Sequence, residues 1–148
     1  MGLYLEDIEV GQTFASGTYV MDAARIKEFA TELDPQPFHI DENAAEDSLF
    51  HGLAASGWHT AAVAMRLLTT SGLRFANGIL GLGAEISWPR PTRPGDTLHI
   101  DSEVIEIRLS QSKPDHGIVT IRSTMLNQKG ETVYVLNAKL LVPRRPGL

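Results

Sequence analysis

The sequence predicts an α+β fold in which an antiparallel sheet wraps around one buried helix. The first half of the chain carries apolar residues at helical spacing, and a long apolar segment of small residues follows. The second half consists of alternating apolar runs joined by short turns, which is typical of antiparallel strands in series. A helix followed by such a sheet indicates an α+β domain. The 148 residues show no repeat or linker, so we expect a single domain over residues 1–148.

The first elements are a strand and an amphipathic helix. The run Thr13 to Met21 is compatible with a strand, and Asp22 is a favourable N-cap for the helix behind it. Pro35 is expected to end that helix, because a proline disfavours helical geometry in the residue before it. The apolar stripe of the helix follows the spacing i, i+3, i+4, i+7 and comprises Ile26, Phe29, Ala30 and Leu33.

A loop and a second, longer helix complete the first half. We expect an irregular loop over Pro35 to Ile40 and a short helical turn over Asp41 to Asp47, with Asp41 as its cap. From Gly52 to Thr70, apolar and small residues occupy every face of a predicted helix, which should therefore be largely buried. Ser71-Gly72 would end this helix.

The second half is predicted to form four strands. A proline-rich corner from Pro89 to Gly95 separates the first strand from the second. The apolar phase of the second strand shifts between Val104 and Ile105, which indicates a β-bulge. The turn Asn127 to Gly130 should join the last two strands as a hairpin. The four predicted strands are Leu82–Trp88, Thr97–Arg108, Ile118–Leu126 and Val133–Val142.

Composition narrows the classes of function. The formal charge of −5 provides no global basic field for nucleic acid or an anionic membrane surface. Cysteine is absent, which excludes disulfides, thiolate metal sites and a cysteine nucleophile. The apolar segment Leu53 to Leu68 is interrupted by polar residues and falls short of the ~20 residues of a membrane span. Met1 to Glu9 lacks the apolar core of a signal peptide, so we expect a cytoplasmic protein.

The segment Asp34 to His39 combines a carboxylate and an imidazole with two prolines between them. The prolines stiffen the backbone, which lowers the entropy lost when both side chains are held in place. Proton transfer requires both groups within hydrogen-bonding reach of one substrate or water, so this pair is a candidate acid–base. The alternative interpretation is that Asp34 only ends a helix and that His39 is a core histidine bonded to backbone.

Gly52 is a candidate donor for a negatively charged oxygen. A glycine at the start of a buried helix presents an unpaired N–H, and the helix dipole adds to its attraction for an anion. An acid–base pair with such a donor is what enolate chemistry beside a thioester carbonyl requires. The alternative is that Gly52 only permits close packing.

Three motifs together resemble a known family. The pattern Asp34-x-Gln36-Pro37-x-His39, the pair His51-Gly52 before an apolar helix, and the segments Arg90-Pro91 and Pro94 to Leu98 look like those of the MaoC-like acyl dehydratases. These enzymes are also called (R)-specific enoyl-CoA hydratases. Gln36 departs from the pattern, since the family usually has asparagine there, and the longer arm affects the orienting hydrogen bond in the catalytic loop.

The resemblance implies a hot-dog fold, a homodimer or higher homo-oligomer, and a substrate linked to CoA or to an acyl carrier protein. It implies that Asp34 and His39 activate one water, which adds across the C2=C3 bond of a trans-enoyl thioester, and that the Gly52 N–H stabilises the enolate oxygen. No cofactor or metal is expected. Thr60 would face the site, or alternatively only pack the helix. The residues expected to bind substrate are Gln36, Pro37, Phe38, Thr60 and Arg90.

Three other interpretations compete with hydration. A hot-dog thioesterase usually carries its acid on the central helix, whereas Leu53 to Thr70 contains no Asp or Glu. A non-catalytic acyl-CoA-binding subunit would use the same pocket without chemistry. A metal site built from histidines lacks the i, i+4 spacing with glutamate seen in zinc hydrolases. Finally, several arginines are candidates to meet a CoA phosphate, although exposed arginines are usually solvated: Arg90, Arg93, Arg144 and Arg145.

Overall fold

A computed structural model describes residues 2–70 and 73–147 of the chain. A 3₁₀ turn over Leu5–Asp7 precedes the other elements. Four helices follow one another in the first half: α1 (Ala23–Leu33), α2 (Pro37–Ile40), α3 (Glu42–Glu46) and α4 (Gly57–Thr70). The described strands are β1 (Thr13–Ala15), β2 (Tyr19–Val20), β3 (Gly81–Ser87), β4 (Thr97–Leu109), β5 (His116–Leu126) and β6 (Thr132–Pro143).

The strands form an antiparallel sheet in the order β1-β4-β5-β6-β3, and β2 also pairs with β4. The register of β4 on β5 shifts between Val104 and Glu106, which confirms the predicted bulge. The hairpin between β5 and β6 is also confirmed, since the N–H of Gly130 donates to the carbonyl of Asn127 at 3.0 Å. Gly130 has a φ of 74°, a left-handed conformation that glycine adopts without steric cost.

Helix α4 packs against one face of the sheet. Its residues Val63 and Leu67 belong to one core cluster with Ile100 of β4 and Ile121 of β5. Helix α1 adds Ile26 and Ala30, both fully buried, as the predicted stripe requires. Leu33, at the end of the same stripe, is instead exposed. None of the helices described is long and apolar enough to cross a membrane.

Two expectations about the first half were wrong. The run Thr13 to Met21 is not one strand, because β1 and β2 pair with different parts of β4 and are separated by Ser16 to Thr18. The segment Pro35 to Ile40 is not wholly irregular, because α2 begins at Pro37. Proline is favoured at the first helical position, where its missing N–H costs no hydrogen bond. The predicted turn capped by Asp41 is confirmed as α3.

The start of the long helix also differs from the prediction. Helix α4 begins at Gly57 rather than at Gly52. His51 and Gly52 have φ values of 52° and 150°, which no right-handed helix contains. Ser56 precedes the helix, and its Oγ accepts a hydrogen bond from the N–H of Trp58 at 3.2 Å, as an N-cap does. The predicted stop at Ser71-Gly72 lies outside the described residues.

Helix α4 is buried on one side and open on the other. Thr60, Val63 and Leu67 are buried, but Trp58 and Met65 are 61% and 44% exposed. The expectation that every face of this helix is buried was therefore wrong for a single copy of the chain. Met65 borders an apolar groove of about 390 Å³ between α4 and strands β3 and β6.

Candidate active site

A large open pocket lies where the start of α4 meets the loop after α1 and the corner after β3. Its volume is about 950 Å³. Both members of the predicted acid–base pair, Asp34 and His39, line it. The other side chains around it are mainly apolar or aromatic: Gln36, Phe38, Ser48, Leu49, Phe50, Ala55, Gly57, Trp58, Thr60, Trp88, Pro89, Arg90, Pro91 and Thr92.

Asp34 is held by two side-chain donors. It is the C-terminal cap of α1, and its carboxylate accepts from Ser56 Oγ at 2.6 Å and from Gln36 Nε2 at 2.5 Å. Burial opposes ionisation of this carboxyl group, but the two hydrogen bonds and the nearby His39 outweigh it. The pKa of Asp34 therefore lies below its ordinary value of 3.8. Asp34 is a carboxylate at neutral pH, and Gln36 supplies the orienting amide despite its longer arm.

His39 is buried, and its ring is held on both sides. Its Nδ1 lies 2.6 Å from the carbonyl oxygen of Ala54, which can only accept, so Nδ1 carries the proton. Its Nε2 lies 3.5 Å from Asp34 Oδ2. The rings of Phe38 and Phe50 lie beside the imidazole, at centroid distances of 4.6 Å and 6.0 Å. These contacts fix both the orientation and the tautomer of His39.

The pair presents two hydrogen-bond acceptors to one point. With the proton on Nδ1, the Nε2 of neutral His39 is an acceptor, and so is the Asp34 carboxylate. Two acceptors 3.5 Å apart do not bond to each other, but one water can donate a hydrogen to each. This arrangement suits the binding and deprotonation of a water molecule.

Gly52 does not have the role expected for it. Its N–H already donates to the carbonyl of Ala45 at 3.0 Å, and Gly52 lies outside the residues that line the pocket. With a φ of 150°, it is also not part of a helix. Proline at this position would conflict with that φ, so replacing Gly52 by proline would disturb the loop.

Gly57 occupies the position that the prediction assigned to Gly52. It is the first residue of α4 and lines the pocket. Among the described residues, no acceptor is hydrogen-bonded to its N–H, whereas its carbonyl accepts from Trp88 Nε1 at 2.9 Å. A Cβ at Gly57 would lie 2.9 Å from Trp88 Cε2, so the close contact with the indole requires glycine. The N–H belongs to the first turn of α4, where the helix dipole favours negative charge.

Most, but not all, of the residues expected to bind substrate line the pocket. Gln36, Phe38, Thr60 and Arg90 line the pocket, whereas Pro37 does not and instead begins α2. Thr60 is buried, and its Oγ1 donates to Thr92 Oγ1 at 3.1 Å, so it also packs the helix against the corner after β3. The Arg90 guanidinium is exposed and lies 3.7 Å from Glu131.

The other arginines lie elsewhere. Arg144 and Arg145 form ion pairs with Glu6 and Asp7 and are not among the pocket residues. The guanidinium of Arg93 donates to backbone carbonyls of the loop before α4. Of the four arginines considered for a CoA phosphate, only Arg90 borders the pocket.

Sequence reasoning missed Ser56 and the carbonyl of Ala54, and it considered Arg93 only as a partner for a CoA phosphate. A signal for Ser56 was available, since serine just before an apolar helical run is a preferred N-cap. Ala54 acts through its backbone and Arg93 through contacts to residues some 40 positions away, which no local pattern reveals. In the described part of the chain, no three His, Asp or Glu side chains are placed to hold a metal ion.

Comparison with known proteins shows similarity over nearly the whole chain. The family model described as "MaoC like domain" matches residues 7–126. A crystal structure described as the MaoC-like dehydratase from Rhodospirillum rubrum is 60% identical, with a TM-score of 0.96, and the match covers 98% of this chain and 99% of that one. This likeness confirms the predicted α+β hot-dog fold.

Two curated relatives are more distant. The (R)-specific enoyl-CoA hydratase of Rhodospirillum rubrum is 27% identical over 148 residues, covering 96% of this chain and 93% of its own. A Bacillus subtilis protein named "Uncharacterized protein YdeM" is 29% identical over 141 residues, covering 95% of this chain and 99% of its own.

Proposed function

The chain belongs to the MaoC-like domain family, and on that premise we propose that it hydrates a trans-2,3-enoyl thioester or catalyses the reverse dehydration. The relative named (R)-specific enoyl-CoA hydratase supports an acyl-CoA substrate. The observation that carries the proposal is the pair Asp34 and His39, whose acceptor atoms lie 3.5 Å apart in the wall of one pocket.

The proposed chemistry begins with a water bound between Asp34 and His39. As the water oxygen bonds to C3 of the enoyl group, the pair takes one of its protons and the C2=C3 electrons move toward the thioester carbonyl. Collapse of the resulting enolate then takes a proton onto C2, so one water is consumed and a 3-hydroxyacyl thioester forms. The proton on Nδ1 of His39 remains on that nitrogen, hydrogen-bonded to the Ala54 carbonyl, so Nε2 is free to accept and return the transferred proton.

The enolate oxygen needs a hydrogen-bond donor, and Gly57 supplies one in this proposal. Its N–H replaces the donor expected at Gly52. Ser56 immediately precedes Gly57 and is hydrogen-bonded to Asp34. The backbone that carries the Gly57 N–H is therefore linked to the Asp34 carboxylate through Ser56. Loss of one such donor typically costs ~3 kcal/mol of transition-state stabilisation.

Hydration is favoured over the two alternatives by the position of the carboxylate. A thioesterase of the kind considered above would carry an acid on the central helix, and Gly57 to Thr70 has none. A binding subunit would not need the polar contacts that orient Asp34 and His39. Burying such groups costs free energy unless each is paired, and both pocket side chains are oriented by specific hydrogen bonds.

The test is an assay on a panel of trans-enoyl-CoA substrates. Hydration removes the ultraviolet absorbance of the conjugated thioester without releasing free thiol, and the product should be the (R)-3-hydroxyacyl thioester on chiral analysis. Thiol release would instead indicate a thioesterase. Binding without either change would indicate an acyl-CoA-binding subunit. The same panel, repeated with substrates linked to acyl carrier protein, identifies the carrier.

A homodimer is part of the proposal. Strand β3 is one edge of the sheet, pairing only with β6 among the described strands, and Leu80 and Leu82 at that edge are 54% and 53% exposed. An exposed apolar edge strand favours pairing with another chain. A second copy pairing along β3 would also cover Met65 and the apolar groove beneath α4.

A further inference from the structure

The side chain of Arg93 is surrounded by carbonyl groups. Its Nη1 donates to the carbonyl of Gly52 at 2.9 Å and to that of Leu53 at 3.3 Å, and its Nη2 donates to the carbonyl of Phe50. No carboxylate forms an ion pair with this guanidinium among the described residues. Its charge is therefore directed at a short stretch of backbone, rather than at an acidic side chain or at the pocket.

That stretch of backbone is strained. His51 has a φ of 52°, which is uncommon for a residue with a side chain, and Gly52 follows with a φ of 150°. Such conformations persist only where surrounding contacts over-determine them. The carbonyls of Phe50 and Gly52 flank His51 on both sides. The two terminal nitrogens of the Arg93 guanidinium therefore hold the strained turn at both of its ends.

The turn leads directly into the groups that orient His39. The Ala54 carbonyl, which binds His39 Nδ1 at 2.6 Å, follows the last carbonyl held by Arg93. The ring of Phe50 also packs beside His39. On the other side, the N–H of Ala55 donates to the carbonyl of Thr92 at 2.9 Å, so the corner that carries Arg93 is attached to this segment at a second point.

The corner itself is firmly anchored. The N–H of Arg93 donates to Asp96 Oδ2 at 2.9 Å, and Asp96 is buried. Asp96 Oδ1 in turn accepts from Gln128 Nε2 at 3.1 Å, in the hairpin between β5 and β6. The guanidinium is thus fixed with respect to the sheet, and the turn before α4 is fixed with respect to the guanidinium.

We propose that Arg93 is a positioning residue for the proposed hydration: by holding the carbonyls of Phe50, Gly52 and Leu53, it places the Ala54 carbonyl so that His39 keeps its proton on Nδ1 and directs Nε2 toward Asp34. The inference rests on the proposed function for its kinetic consequence. Its structural consequence, the tautomer of His39, does not depend on that function.

The variants that test this are Arg93→Gln and Arg93→Lys, with Arg122→Gln as a control. Glutamine can reach only part of the turn, and lysine keeps the charge but lacks the planar fork that binds several carbonyls at once. Arg122 is exposed on β5, where it donates to Asn137, and it does not line the pocket, so its loss tests the removal of an arginine outside the site. Circular dichroism and thermal unfolding establish which variants are folded, and Arg93→Lys carries the test if Arg93→Gln does not fold.

The first readout is histidine-selective NMR, with the His39 signal identified by its absence in His39→Gln. Wild type and Arg122→Gln should show one tautomer with the proton on Nδ1, whereas the Arg93 variants should show a mixture. The second readout is enoyl-CoA hydration, in which Arg93→Gln should lower kcat by ~10²-fold, the usual effect of a misplaced catalytic group, with KM little changed. Arg93→Lys should fall between Arg93→Gln and wild type.

Two outcomes overturn the inference. The first is a folded Arg93 variant whose His39 keeps a single Nδ1-protonated tautomer. The second is a rise in KM with kcat unchanged, which would make Arg93 a substrate-binding residue. If wild type hydrates no enoyl thioester, the proposed function fails, but the NMR comparison still decides whether Arg93 positions His39.

Discussion

Replacing Ser56 by alanine should remove a buried hydrogen bond from the Asp34 carboxylate. Ser56 is fully buried, and its Oγ donates to Asp34 Oδ2 at 2.6 Å while accepting from the N–H of Trp58. The distance is typical of a hydroxyl bound to a charged oxygen. Alanine leaves the backbone unchanged and deletes both interactions.

The expected loss of stability is about 2.5–4 kcal/mol at pH 7. A hydrogen bond to a charged group contributes about 1.5–3 kcal/mol, and an N-cap contributes about 1 kcal/mol. The pKa of Asp34 should also rise, because the bond from Ser56 is one of those that hold it below 3.8 against the effect of burial. A lowered carboxyl pKa stabilises the fold above pH 3.8, and that stability is lost as the pH falls through the folded-state pKa.

Urea unfolding at several pH values and an NMR titration of the Asp34 carboxyl group measure these effects. Ser123→Ala is the matched control, because Ser123 is equally buried but shares its 2.7 Å hydrogen bond with the neutral Ser102. The control should lose stability without moving the Asp34 pKa, and its loss should not depend on acid pH. A folded Ser56→Ala variant with an unchanged Asp34 pKa would refute the reasoning.

Two further predictions concern pH dependence and assembly. Burial, with the nearby charge of Arg25, lowers the pKa of His59 below 6.5, so His59 is protonated on unfolding and stability declines as the pH falls below 6.5. His59→Phe keeps the stacking on Phe29 but removes the titrating group. Between pH 7 and pH 5, the stability of this variant should fall less steeply than that of wild type, with a difference in slope of at most about 1.4 kcal/mol per pH unit. Urea unfolding that shows the same pH dependence for both proteins would contradict this. Light scattering at micromolar concentration should give wild type twice the 16.2 kDa chain mass. The Leu82→Lys variant should be monomeric, and the control variant Leu109→Lys should remain dimeric. A monomeric wild type or a dimeric Leu82→Lys variant would contradict pairing along β3.

Much of the sheet follows from local patterns. The strands β4, β5 and β6 lie close to their predicted bounds, because alternation and turn residues are local signals. The bulge after Val104 was visible as a shift in the apolar phase. The start of helix α4 could not be predicted in this way. The small apolar residues from Gly52 to Ala55 suit a helix, whereas the positive φ at His51 depends on tertiary contacts.

The candidate site, like the fold, was predictable only in part from local sequence patterns. The spacing of Asp34 and His39 and the prolines between them made the pair a candidate, and the family resemblance implied its role. The structure brings both residues into one pocket with Gln36 and Phe38. The groups that orient the pair come from distant parts of the chain and from backbone atoms. The Ala54 carbonyl is an example, since any residue at that position would supply it.

The central claim is that Asp34 and His39 act together on one water. Asp34→Asn and His39→Gln should each lower enoyl-CoA hydration by something on the order of 10²–10⁴-fold, the usual contribution of a positioned acid–base group. Because residues that act as a unit give losses that do not add, the double variant should be scarcely slower than either single variant. All three should remain folded with the assembly of wild type. Losses that multiply in the double variant, or a single variant that keeps most of its activity, would contradict the claim.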